Sequence, residues 1–128
     1  MAKAEFLRKR AEAFLKEAEY DISQKQWFLA AFHFEQSLQL YLKYYLFLKL
    51  ADFPKTHSLR VLLKGIGKAY KREREVENLI KENEEIVATL EEAYITARYL
   101  PVEFTVSQIK KIESFVKKTI KFLKNFKQ

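Results

Sequence analysis

The chain has 128 residues, 48% hydrophobic, 15% aromatic and 32% charged, with a net charge of +7. That length suits one domain, and that apolar share can fill a core. Two Gly and two Pro argue against an all-β domain, which needs turn residues at every hairpin, and against low-complexity disorder. Cysteine is absent, which excludes disulfides, Cys-based zinc sites and a Cys nucleophile. With only two His, no metal site is expected, and no motif calls for a cofactor. The longest stretch without a charge is the nine residues Gln26–Phe34, against about 20 for a membrane span. No membrane role is therefore expected. Met1–Glu5 has no signal-peptide pattern, so the expected location is cytoplasmic. The 18 Lys and 15 Glu give a bias that suits a thermophile's ion-paired surface.

The first predicted helix runs from about Ala2 to Lys25. Leu7, Ala11, Phe14, Ala18 and Ile22 make its apolar face. The second runs from about Trp27 to Leu50. Its stripe of Trp27, Ala31, Phe34, Leu38, Tyr41, Tyr45 and Leu48 has a second apolar stripe beside it. A helix apolar around most of its circumference is central to the fold or faces another chain. Trp27, Phe34, Tyr41 and Tyr45 are therefore core or homodimer-interface residues, and the aromatic excess favours a dimer contribution.

Ala51–His57 is the first break, with Pro54 stopping the helix. Thr56 or Ser58 then caps a short third helix, Leu59 to about Ala69, followed by a charged turn at 71–75. A fourth helix is predicted from about Glu75 to Ala97, before Pro101. Thr105 with Gln108 resembles a capping box opening a fifth helix, which carries Ile109, Ile112, Val116, Ile120 and Leu123. No period of 20–50 residues repeats. The expected fold is all-α: an antiparallel up-and-down bundle of four long helices plus one short helix, one domain over residues 1–128.

Charge is segregated. Residues 73–92 sum to −6 and residues 105–128 to +6. Two solvated faces that pair within the bundle are the expected meaning; a basic surface for a polyanion is the alternative.

The sequence shows no phosphate-cradling Gly loop and no metalloprotease motif, and no catalytic residues are assigned. Three features stand out. His57 precedes a helix N-terminus, where it either bonds a neighbouring helix or meets a ligand. Arg98, with Tyr99, sits at a helix end. There it either satisfies the last carbonyls or holds a phosphate with its planar fork. Gln36, Gln39 and Lys43 share a face of the second helix, with His33 one turn before.

Three fragments in order resemble the HEPN family (higher eukaryotes and prokaryotes nucleotide-binding domain). They are Trp27–Phe34 running into Gln36 and Leu42-Lys43, then Pro54-Lys55-Thr56-His57-Ser58-Leu59, then Ala97-Arg98-Tyr99 before Pro101. The resemblance covers nearly the whole chain. It implies a five-helix bundle that commonly forms homodimers. It also implies pairing with a small nucleotidyltransferase, frequently as a toxin–antitoxin module. Some members of the family are metal-independent ribonucleases, whose motif is Arg, four to six residues, then His. After Arg98 that His would fall at Glu103, Phe104 or Thr105, and Gln39 stands where many relatives carry Glu.

The expected function is thus a non-catalytic module that binds a nucleotide or RNA, or docks a nucleotidyltransferase. Arg98 and Lys43 would supply phosphate charge, Tyr99 a stacking surface and His57 a polar contact. The alternatives are a divergent metal-independent ribonuclease toxin, with His57 supplying acid–base chemistry, and a purely structural protein-interaction bundle.

Overall fold

A computed structural model describes residues 2–126. Met1, Lys127 and Gln128, which belong to the expected 1–128 domain, lie outside the described residues. The described residues form six helices and no strand. They are α1 (Ala2–Ser23), α2 (Trp27–Leu50), α3 (Leu59–Tyr70), α4 (Glu73–Glu82), α5 (Glu84–Tyr99) and α6 (Val106–Lys124).

The single long fourth helix expected from the sequence is two helices, broken at Asn83. The Asn83 amide donates to the Leu79 carbonyl at 2.8 Å, and the Asn83 N–H bonds Ile80 O at 3.1 Å. Asn side chains compete in this way with the helical ladder. With φ −131° at Asn83, the chain changes direction. The Asn83 carbonyl then accepts from Val87 N and starts α5. The break has a packing result: α4 lies on α3, while α5 lies on α2.

α2 is the central helix, packed against α1, α3, α5 and α6. This explains why it is apolar almost all round. Phe34, Tyr41 and Tyr45 are buried within the chain itself, and Trp27 is half-buried against the core. Three helices stop without glycine. Lys25, Ala51 and Lys71 take the left-handed conformation, with φ of 57°, 59° and 58°. An L-residue there is strained by about 1 kcal/mol, offset at these exposed positions by the backbone bonds that close each helix end: Gln26 N to Asp21 O, Ala51 N to Phe47 O and Arg72 N to Gly67 O.

Ser58 is the cap of α3; its Oγ accepts from Val61 N. Thr105 and Gln108 make the reciprocal capping box of α6 that the sequence suggests. Lys117 of α6 pairs with Glu113 and with Glu19 of α1. The α5–α6 contact is the looser one: Glu85, Glu92 and Lys111 line an open groove of about 350 Å³ there. No described helix is long and apolar enough to cross a membrane.

Candidate functional site

A carboxylate that charge patterning alone did not single out lies at the centre of the site. Glu35 of α2 has no exposed surface. It sits in the apolar helix that every neighbour packs against, so its charge is withdrawn from water. Gln36 Nε2 donates to one of its oxygens at 2.7 Å, and Gln39 Nε2 to the other at 2.8 Å. Burial raises its pKa from 4.5 to about 7; the two amides and the nearby charges of Lys43 and Arg98 pull the other way.

The network continues along one face of α2. Glu35, Gln39 and Lys43 are spaced i, i+4, i+8, so their side chains stack one turn above another. Lys43 Nζ donates to Gln39 Oε1 at 3.1 Å and lies 5.6 Å from the centre of the Phe53 ring. Lys43 is itself buried, and burial lowers its pKa while Glu35 raises it.

His57 approaches from the loop before α3. Its Nδ1 is 3.4 Å from Gln39 Oε1, and its Nε2 is 3.2 Å from the Tyr94 hydroxyl. Gln39 must point its amide at Glu35 and its oxygen at Lys43. That oxygen only accepts, so His57 Nδ1 donates to it, and the Tyr94 hydroxyl bonds Nε2. The His57 and Tyr94 rings also stack, with centres 4.4 Å apart at 24°.

Arg98 closes the far side. Its Nε donates to Tyr94 O at 2.8 Å. Its guanidinium lies 4.4 Å from the Tyr94 ring centre, 4.9 Å from Tyr99 and 5.7 Å from Phe32. Among the described residues no carboxylate forms an ion pair with it. Its fork of N–H groups therefore faces solvent with its charge uncompensated at contact distance. Tyr99 beside it is 70% exposed.

Three of the four binding residues expected from the sequence are thus gathered around Tyr94, through Gln39: Arg98, His57 and Lys43. Tyr99 adjoins Arg98. Lys43 points inward, onto Gln39. Trp27, Phe34, Tyr41 and Tyr45 build the core that carries the site. Glu35 and Tyr94 join the site beyond the residues expected from the sequence. Their signals were present: Glu35 is the one charged residue between Lys25 and Lys43, and Tyr94 stands one turn before Arg98. A charge inside an apolar helix is a buried charge once that helix is central.

A second acid, Glu91 of α5, anchors the loop that delivers His57. It accepts from Ser58 Oγ at 2.8 Å and pairs with the Arg60 guanidinium. Thr96 Oγ1 is the one buried side-chain polar atom among the described residues without a partner.

The family model of the HEPN domain matches residues 4–126, nearly the whole chain. The chain belongs to the HEPN family, a helical family with nucleotide-binding and ribonuclease-like character. The all-helical architecture agrees with that membership. No curated protein and no solved structure matches the chain.

Proposed function

We propose that this HEPN domain is a non-catalytic binding module for a nucleotide or RNA phosphate, received at Arg98. The observation that carries this reading is the guanidinium of Arg98, without an ion-pair partner among the described residues and held by Tyr94 O and three aromatic rings. A planar fork held in place loses little freedom when it grips a phosphate. Tyr99, exposed and adjacent, offers a face on which a base can stack. His57 adds a polar edge, and Lys43 a positive field behind it.

Ile95, Leu100 and Val102 are each about half exposed close to Arg98 in sequence. Such an apolar margin supports a homodimer or a docked partner, for which a small nucleotidyltransferase of a cytoplasmic toxin–antitoxin pair is our candidate. Light scattering and co-purification with such an enzyme test those two parts.

The binding reading is tested by two-dimensional NMR of labelled protein titrated with ATP, GTP and a short RNA. Saturable shifts around Arg98, Tyr99 and His57, lost in Arg98→Ala, are expected. Flat spectra, or the same response in the variant, overturn it.

The second reading, a divergent ribonuclease, draws on one observation: the His57 ring and the Arg98 guanidinium both lie against Tyr94. An imidazole to move a proton and a cation to hold a phosphate are the parts such cleavage needs. Cleavage of tRNA in chelator, abolished by Arg98→Ala and by His57→Ala, would establish it. Unchanged turnover in His57→Ala would remove His57 from it.

A further inference from the structure

Outside the Glu35 network, an imidazole and two carboxylates meet between α1 and α2. Glu17 and Asp21 stand four residues apart on α1 and so share a face. His33 of α2 faces them across the hairpin. One ligand atom from each of the three lies within 4.8 Å of the other two. His33 Nδ1 is 2.6 Å from Asp21 Oδ2.

The inner part of this cluster is fixed. Asp21 is only 4% exposed. The His33 ring stacks on Phe14 at 5.7 Å and packs against Phe32 at 5.5 Å. Glu17 is exposed and lines an open groove of about 530 Å³ with Phe14 and Gln36.

One further observation at this point favours a cation. Among the described residues no Lys or Arg pairs with either carboxylate.

We propose that Glu17, Asp21 and His33 bind one divalent cation of the zinc type, tying the last turn of α1 to α2. Mixed imidazole and carboxylate donors suit zinc and its neighbours rather than calcium or magnesium, which take oxygen alone. Bonds of about 2.0–2.2 Å place tetrahedral ligand atoms roughly 3.4 Å apart. His33 and Asp21, at 2.6 Å, must therefore move apart to admit the ion, while Glu17, exposed at the surface, is the arm that closes on it. No metal motif is legible along the chain because the imidazole and the acids lie on different helices, joined by a turn. The site is independent of the phosphate-binding reading.

The full chain titrated with zinc chloride by calorimetry tests this. One ion per chain is expected, with binding weakened tenfold or more in Glu17→Gln and in His33→Gln. Cobalt(II) should give visible absorption bands in the wild type that His33→Gln loses. Zinc should raise the Tm of the wild type and not that of Glu17→Gln. Glu17 is exposed, so its variant stays folded and decides the matter if His33→Gln does not fold. No saturable binding by the wild type, or equal binding by Glu17→Gln, overturns the proposal; the latter would place the ion elsewhere.

Discussion

Replacing Glu35 by Gln should stabilise the protein by an amount that grows from about pH 5 to about pH 7 and is constant above that. In the unfolded chain the carboxyl ionises near 4.5; in the fold, burial lets it keep its proton up to about 7. Between those values the native state holds a proton that the unfolded state has lost. Stability from this group is therefore fully present below about 4.5 and falls as pH rises through about 7. At about 1.4 kcal/mol per pH unit, the loss reaches about 3 kcal/mol above pH 7. Gln carries no charge to desolvate and escapes that cost.

The substitution has a smaller opposing term. Gln36 and Gln39 both donate to Glu35, and a Gln at position 35 offers one acceptor, not two. Gln39 is locked by Lys43, whereas half-buried Gln36 can turn its amide and accept instead. A net gain of about 2 kcal/mol is expected at about pH 8 and close to none at about pH 5. Urea denaturation of both proteins across that range, with m-values compared, measures it. A difference that does not change with pH, or a variant less stable at pH 8, would refute the account of Glu35 as a buried, proton-retaining carboxyl.

Two further perturbations separate packing from propensity. At Gly67 an added Cβ would lie 3.2 Å from Glu73 Cα, which is backbone at the start of α4. Gly67→Ala should therefore cost about 1 kcal/mol net, despite Ala's higher helix propensity. At Gly65 the same Cβ meets only the Leu46 side chain, at 3.5 and 3.7 Å, so Gly65→Ala should stabilise by about 0.5–1 kcal/mol. Thermal unfolding of the pair should move Tm in opposite directions, and a shared sign would contradict the packing argument. Ser58→Ala removes both the α3 cap and the bond to Glu91. It should cost about 1–2 kcal/mol in chemical denaturation.

The sequence by itself determined the helical class, most helix positions and the family. Apolar residues at helical spacing mark a buried face whatever the neighbour is. Pro54, Ser58 and the Thr105–Gln108 pair act on the chain next to them, so the α2–α3 break and the α6 start were legible. The stops were legible to within two residues, although Lys25, Ala51 and Lys71 adopt there a conformation that a Gly favours.

The expected fourth helix shows where local reasoning ends. Its apolar pattern runs on through Asn83, and one side-chain bond to Leu79 O breaks it. Whether an Asn bonds its own turn depends on what the two halves gain by packing apart, here on α3 and on α2. The site shows the same limit. Arg98, His57 and Lys43 were legible as chemistry, but their meeting was not. Tertiary packing alone buried Glu35, joined it through Gln39 to Lys43 and His57, and set Tyr94 between His57 and Arg98. It also brought His33 to Asp21. Charges, proton affinities and ligand clusters depend on distances between side chains of different helices, and those distances exist only after the helices have packed.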